Sequence, residues 1–226
     1  MVTVFIGLDS EDTKICESSL RRHSSIDLKV IHLSEKDLRA YGLLTRPQIP
    51  PYFGEIFDIL SDAPQSTDFA FARFFIPILM RGKGRALFCD GDFLFRSDTA
   101  ELFALFDDRY AVQVVKHDHS PVETEKMAGR TQTQYRRKNW SSLILWNCEH
   151  PSHEALTLDV LNCWPGRKLH AFDWLKDEEI GSLPETWNWL EGYSPPIDPK
   201  AVHYTRGTPG RLGKDLPYSG EWYGVR

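Results

Sequence analysis

Arg85-Ala-Leu-Phe-Cys-Asp90-Gly91-Asp92 is the stretch on which the reading of this chain turns. Ala86 to Cys89 is a short, unbroken apolar run, the pattern of a strand buried on both faces. It ends on two carboxylates one residue apart, after which Phe93-Leu-Phe95 resumes an apolar strand. In an open α/β sheet such a pair lies at the carboxyl edge, where ligands bind. If the chain runs extended through Gly91, Asp90 and Asp92 point the same way; if it turns there, Gly91 lets backbone approach a ligand closely. Two carboxylates this close repel unless a cation or proton lies between them. A hard divalent ion that also grips phosphate oxygens, Mg²⁺ or Mn²⁺, meets that need. The plainer alternative is a solvated acidic turn.

The flanking sequence supplies the rest of a sheet. Val2 to Leu8 is another buried-strand run, stopped by Asp9-Ser10. A helix follows from Thr13 to Arg22, with Glu11 and Asp12 in its first turn, and Leu28 to Leu33 reads as a strand. Residues 40–66 read as loop, broken by Gly42, Pro47, Pro50, Pro51 and Pro64. Ser66-Thr67-Asp68 caps a helix that carries Phe69, Ala72, Phe75 or Ile76, and Leu79, with Pro77 kinking it. Arg73 is a charge on that apolar helix and must be paired or reach an edge. The Arg81-Gly-Lys-Gly-Arg85 turn lacks the G-x-x-x-x-G-K-[ST] spacing of a phosphate-binding loop.

Downstream, Asp98 opens a helix to about Phe106, and Tyr110–Val115 and Ser142–Trp146 read as strands. The polar stretch 117–138, with Lys126, Arg130, Arg136, Arg137 and Lys138, reads as a surface excursion or lid. Ser152–Trp164 and Phe172–Ile180 read as helices, and Lys200–Tyr204 as a last strand before a Gly/Pro-rich tail. Strands and helices alternate, so the expected fold class is α/β: a mixed, mostly parallel central sheet flanked by helices.

Length and composition narrow the function. The 226 residues suit a single domain. A formal net charge of −5 argues against broad nucleic-acid binding, and 12% aromatic residues exclude disorder. No apolar run approaches a transmembrane segment, and the N-terminus has no signal-peptide pattern. Cys16, Cys89, Cys148 and Cys163 show neither zinc-site nor disulfide spacing. A reduced, cytoplasmic protein is expected.

Three segments, Val4-Phe-Ile-Gly-Leu-Asp9, Phe69-Ala-Phe-Ala-Arg73-Phe-Phe-Ile-Pro77 and Ala86-Leu-Phe-Cys-Asp90-Gly-Asp92, together resemble the family-8 nucleotide-sugar glycosyltransferases of the GT-A fold. Leu183-Pro-Glu-Thr-Trp-Asn188 is similar to that family's Leu-Pro-x-x-x-Asn, and Ala201-Val-His203-Tyr to its apolar-His motif. The resemblance runs from residue 2 to about 210. It implies one glycosyltransferase domain over 1–226, with a nucleotide- and metal-binding half at about 1–118 and an acceptor-side half with the C-terminal segment at about 119–226. Asp90, Asp92 and His203 would hold Mn²⁺ (or Mg²⁺); an imidazole among carboxylates suits Mn²⁺. Gly7 and Asp9 would adjoin the nucleotide base, Gly91 the donor, and Arg73 the donor sugar and the carboxylates.

Asn139 and Asp173 would hydrogen-bond the sugar, and Trp140, Trp187 and Trp189 fall beside the implied site, where they could stack on a sugar ring. The chain departs from the family pattern in three places. Ser141 stands where Gly is usual, Trp174 where Gln is usual, and no Lys-Pro pair follows His203, so Arg206 or Arg211 would meet the diphosphate. The implied activity is metal-dependent, retaining transfer of a sugar from a nucleotide-diphosphate donor, a UDP-sugar, to a carbohydrate or other hydroxyl-bearing acceptor, with homo-oligomerisation open. Two alternatives stand beside it. One is a non-catalytic nucleotide-sugar-binding homologue. The other is a haloacid-dehalogenase-like phosphatase with Asp90 as nucleophile and Asp92 as acid.

Overall fold

The computed structural model describes residues 1–8, 11–49, 56–65, 67–118, 125–126, 130–131, 137–213 and 215–225. Asp9, Ser10, the Ser66 of the expected cap and most of the 117–138 excursion lie outside them. In chain order the elements are β1 (Val2–Gly7), α1 (Asp12–Arg22), β2 (Leu28–Leu33), α2 (Glu35–Ala40), β3 (Gln48–Ile49), β4 (Phe57–Asp58), β5 (Ala63–Pro64), a 3-10 turn (Ala72–Phe75) running into α3 (Ile76–Leu79), β6 (Arg85–Cys89) and β7 (Phe93–Phe95). There follow α4 (Thr99–Phe103), β8 (Val112–Val114), β9 (Glu125–Lys126), β10 (Arg130–Thr131), β11 (Leu143–Asn147), α5 (Leu158–Cys163), α6 (Gly166–His170), β12 (Ile180–Ser182), β13 (Trp189–Leu190), β14 (Ala201–His203), α7 (Pro209–Leu212) and α8 (Ser219–Val225).

The central sheet has strand order β12-β8-β11-β6-β1-β2. β1 is parallel to β2 and β6, and β8 to β12, while β11 is antiparallel to both β6 and β8. The expected mixed, mostly parallel α/β sheet is therefore present. Its geometry brings the carboxyl ends of β1, β6, β8 and β12 to one edge, where β11 starts. Side chains alternate between two faces, as strand geometry requires. Phe5, Phe88, Ile144 and Trp146 pack with Phe74 and Phe75 on one side. Val4, Ile6, Leu87 and Leu145 pack with Cys16 and Leu20 of α1 on the other.

A second sheet, β13-β14-β7, sits at the functional edge. β14 runs antiparallel to β7 with His203 opposite Phe93, so the imidazole arrives beside the Asp90-Gly91-Asp92 turn.

Several expected elements differ. Residues 40–66 are not all loop: β3, β4 and β5 form a small antiparallel sheet. The 69–79 helix is a 3-10 turn followed by α3, with Pro77 in the first turn of α3, where it loses no helical hydrogen bond. The helix expected over 152–164 is two pieces, a 3-10 turn at Pro151–Ala155 and α5, which Thr157 caps by accepting from the Val160 N–H.

Residues 172–180 are not an α-helix; only a 3-10 turn forms there, at Asp177–Glu179. Phe172 takes a positive φ of 54°, and Ile180–Ser182 pairs instead with β8. Gly181 is required there because a Cβ would meet the Tyr110 ring at 2.5 Å. Within the Gly/Pro-rich tail α7 and α8 form, Trp222 of α8 packing with Ile15 of α1 and Tyr204 Oη donating to the Pro217 carbonyl. No described helix is long and apolar enough to cross a membrane.

Candidate active site

The Asp90-Gly91-Asp92 turn is clamped at both ends. Asp90 N–H donates to the Ser142 carbonyl at 2.9 Å, and the Asp92 carbonyl accepts from Tyr204 N–H at 3.2 Å. Gly91 lies so close to β1 that a Cβ would stand 2.5 Å from the Gly7 carbonyl oxygen and 2.6 Å from Thr13 Oγ1. Gly7 in turn is covered by the Phe69 ring, 2.4 Å from where its Cβ would be. The two glycines thus seat the carboxylate turn directly on the first strand.

Asp90, Asp92 and His203 offer ligand atoms that all lie within 4.8 Å of one another. His203 Nε2 is 3.3 Å from Asp92 Oδ1 and 4.0 Å from Asp90 Oδ2. The ring stacks on Phe93 with centroids 4.4 Å apart.

A hydrogen-bond chain fixes which nitrogen of His203 carries hydrogen. The Asn139 carbonyl can only accept, so Ser142 Oγ donates to it, at 2.8 Å. Ser142 Oγ then accepts from Asn188 Nδ2 at 2.9 Å. That orients the amide so that Asn188 Oδ1 accepts from His203 Nδ1–H at 3.0 Å. Nε2 is therefore the ring atom that faces the two carboxylates, an arrangement that needs positive charge in the gap. Hydrogen-bonded orientation of this kind is what metal-ligating histidines carry. Two carboxylates and an imidazole nitrogen form a donor set suited to Mn²⁺.

Arg73, 3% exposed, does not reach the surface. Its Nη1 pairs with Asp90 Oδ1 at 2.8 Å and donates to the Ser141 carbonyl at 2.6 Å, while Nε donates to the Ala70 carbonyl at 3.2 Å. The guanidinium also lies over the Phe88 ring. Its charge is compensated within the site, as burial demands. The turn that carries it is held by Glu35, whose Oε1 accepts from Phe71 N–H and Gln65 Nε2, both at 2.8 Å. Burial pushes the Glu35 carboxyl up, against the pull of those donors. Cys89, next to Asp90, is a buried thiol raised by burial, by Cys16 at 3.8 Å and by the two carboxylates, so it stays protonated.

Among the expected site residues, the fold brings together Gly7, Arg73, Asp90, Gly91, Asp92 and His203. Asn139, at φ 63°, joins through its carbonyl. Asp173 is exposed in the turn after α6. Arg206 makes a two-point ion pair with buried Glu191, at 2.6 and 3.1 Å, and Arg211 pairs with Asp12 at 3.1 Å. Trp187 and Trp189 are core residues rather than exposed ring platforms. Asn188 and Ser142 are the members sequence reasoning left without a role; the Leu-Pro-x-x-x-Asn spacing had already marked the first of them. A cleft of about 500 Å³ opens at the same sheet edge, lined by residues that include Lys116, His117, Glu185, Leu190 and Tyr193. Burial, then the nearby Arg137, lowers the Lys116 ammonium pKa.

No protein-family model matches the chain. It is 42% identical over 229 residues to Protein CDI of Arabidopsis thaliana, across 97% of this chain and 83% of that protein. The bifunctional glycosyltransferase WbbM superposes with a TM-score of 0.67 at 14% identity, covering 99% of this chain and 49% of WbbM. GlyE of Streptococcus pneumoniae TIGR4 gives 0.62 at 16% identity, covering 99% of this chain and 60% of GlyE. The galactosyltransferase LgtC, solved with donor and acceptor sugar analogues, gives 0.58 at 12% identity over 100% of this chain and 95% of LgtC. The chain thus spans about half of WbbM and three-fifths of GlyE. The likeness is one of fold, the GT-A glycosyltransferase fold.

Proposed function

The chain belongs to the family of the Arabidopsis thaliana Protein CDI, and from its fold and site geometry we propose that it is a metal-dependent, retaining hexosyltransferase of the family-8 type. The donor is a nucleotide-diphosphate sugar, a UDP-sugar, and the acceptor a carbohydrate or other hydroxyl-bearing molecule. What carries this reading is His203 Nε2 facing Asp92 across 3.3 Å, beside Asp90, with Nδ1–H committed to Asn188.

Asp90, Asp92 and His203 hold the ion, Mn²⁺ or Mg²⁺, which when bound supplies Lewis-acid neutralisation of the charge on the departing diphosphate. Arg73 keeps Asp90 oriented and adds fixed positive charge on the sugar side. Gly7 and Asp9 adjoin the nucleotide base, and Asn139 and Asp173 bind sugar hydroxyls, orienting the anomeric carbon toward the acceptor. Arg206 meets the diphosphate after exchanging Glu191 for phosphate, with Arg211 as the other candidate. The cleft beside Lys116 and Tyr193 takes the acceptor. Residues 1–226 act as one domain, whose metal triad draws on both halves, and the four free cysteines support a reducing, cytoplasmic setting.

A second reading, a nucleotide-sugar binder without turnover, draws on the engagement of Arg206 by Glu191. Incubation with a panel of UDP-sugars and Mn²⁺, scored for UDP release and for the anomer of the product by NMR, separates the two. Metal-dependent release with retained configuration supports the transferase. Binding without release supports the binder, and absence of both overturns the UDP-sugar reading.

A further inference from the structure

Glu35 opens α2 and is buried as deeply as Arg73. Its carboxylate gathers three N–H donors: Oε1 accepts from Phe71 N–H and Gln65 Nε2, both at 2.8 Å, and Oε2 accepts from Gln48 Nε2 at 3.2 Å. The Phe71 N–H belongs to the same peptide group as the Ala70 carbonyl, and that carbonyl is the acceptor for Arg73 Nε at 3.2 Å. In a trans peptide the N–H and C=O point in opposite directions. One rigid plane is therefore gripped by Glu35 on one side and grips Arg73 on the other. Arg73 Nη1 then reaches Asp90 Oδ1 at 2.8 Å.

Along this path the charges run anion, peptide dipole, cation, anion. Each link strengthens the next, because hydrogen bonds in a buried chain polarise one another. Phe71 is anchored a second time through its ring, over which Arg46 lies at 3.9 Å. Arg46 is itself fixed by buried Asp58 through contacts of 2.8 and 3.1 Å. The hydrogen bonds of Glu35 go to Phe71, Gln65 and Gln48, so its route to the carboxylate turn passes through the peptide and Arg73.

We infer that Glu35 is a positioning residue for sugar transfer, one that sets the Arg73 guanidinium against Asp90 through the Ala70–Phe71 peptide. The inference deepens the donor-site reading above and rests on it. Arg73 supplies fixed positive charge on the sugar side, and such charge is effective in a transition state because it is preorganised. A carboxylate that only fastened β3 through Gln48 would leave turnover untouched in the folded protein.

The experiment compares wild type, Glu35→Gln, Arg73→Lys and the double variant. Glutamine keeps the size of Glu35 but leaves one acceptor oxygen for three converging donors. Lysine keeps a cation beside Asp90 but has no Nε–H for the Ala70 carbonyl. Three readouts are taken: UDP affinity with Mn²⁺, kcat for hydrolysis of UDP-glucose, UDP-galactose, UDP-xylose and UDP-N-acetylglucosamine, and the ¹H–¹⁵N resonance of Arg73 Nε. Glu35→Gln is expected to lower kcat about tenfold, the worth of one charge-assisted hydrogen bond, and to shift the Arg73 resonance. UDP affinity should stay within about twofold of wild type, and in the Arg73→Lys background the same change should alter kcat by less than about twofold. Should Glu35→Gln fail to fold, Glu35→Asp keeps the charge, withdraws it from the Phe71 N–H and is expected to shift the same resonance. An equal fall in kcat in both backgrounds, or an Arg73 resonance unmoved in the folded Glu35 variant, would overturn the inference. Wild-type protein that hydrolyses none of the donors would overturn the transfer reading itself, and the Arg73 resonance would then decide whether Glu35 sets the guanidinium.

Discussion

His203 donates its Nδ1–H to Asn188 Oδ1 across 3.0 Å, and that bond aims its Nε2 at Asp92 Oδ1, 3.3 Å away. The direction is imposed from the far end of the chain by a backbone carbonyl, that of Asn139, which has no proton to give. Asn188→Ala removes the restraint on tautomer and ring orientation without touching a ligand. Loss of such an outer partner typically costs about 10–100-fold in metal affinity. Titration with Mn²⁺ followed by electron paramagnetic resonance is expected to show a loss in that range. Asn188→Asp, which still accepts from Nδ1–H, retains most of the affinity.

Arg73 and Asp90 form a buried pair, and removing one partner of such a pair typically costs about 3–5 kcal/mol. Arg73→Met is expected to destabilise by roughly that amount in urea unfolding, because Asp90 loses its cation. Mn²⁺ should then raise the variant's melting temperature more than it raises that of wild type, since the ion restores positive charge beside Asp90. An equal shift in both proteins would mean that ion and guanidinium act on separate charges.

Gly91→Ala puts a methyl group 2.5 Å from the Gly7 carbonyl oxygen and 2.6 Å from Thr13 Oγ1. Backbone cannot yield as a flexible side chain does, so the turn must lift off β1. Overpacking of this kind costs about 1–3 kcal/mol. Metal binding should fall by at least about tenfold, because ligand geometry is lost along with stability. Circular dichroism on the same samples would check that the variant is folded.

Burial lowers the pKa of His153 to about 4, with a contribution from His150. Its ring packs on Trp146, and Nε2 lies 3.2 Å from the Ala111 carbonyl. Between pH 6.5 and about 4 the unfolded chain binds a proton at this residue and the folded chain does not. Stability contributed there is complete above pH 6.5 and is lost as pH falls, by about 3 kcal/mol in all. Denaturant unfolding across that window should show the slope in wild type and a flatter one in His153→Gln.

The central strands were legible because Val2–Gly7, Arg85–Cys89 and Leu143–Asn147 are apolar runs ended by turn residues, a signal that needs no tertiary context. The carboxylate pair was legible because it follows such a run directly. Other parts were set by partners far away in sequence. Ile180–Ser182 carries no strand alternation and becomes a strand only because β8 accepts it. Two-residue strands such as Gln48–Ile49 are too short to have a period. Arg73 could be flagged as a charge on an apolar helix, but its partners, Asp90 and the Ser141 carbonyl, come from the fold. The role of Asn188 was hidden for the same reason: only the pairing of β14 with β7 and β13 brings His203 to it.

The most direct test is calorimetric titration of UDP into the wild-type protein and into Asp92→Asn, each with Mn²⁺ and with EDTA. Binding of UDP by wild type in Mn²⁺, abolished by EDTA and by Asp92→Asn, is the predicted result. UDP binding of equal strength with and without metal, or in Asp92→Asn as in wild type, would contradict the assignment of Asp90, Asp92 and His203 as the centre that holds the donor.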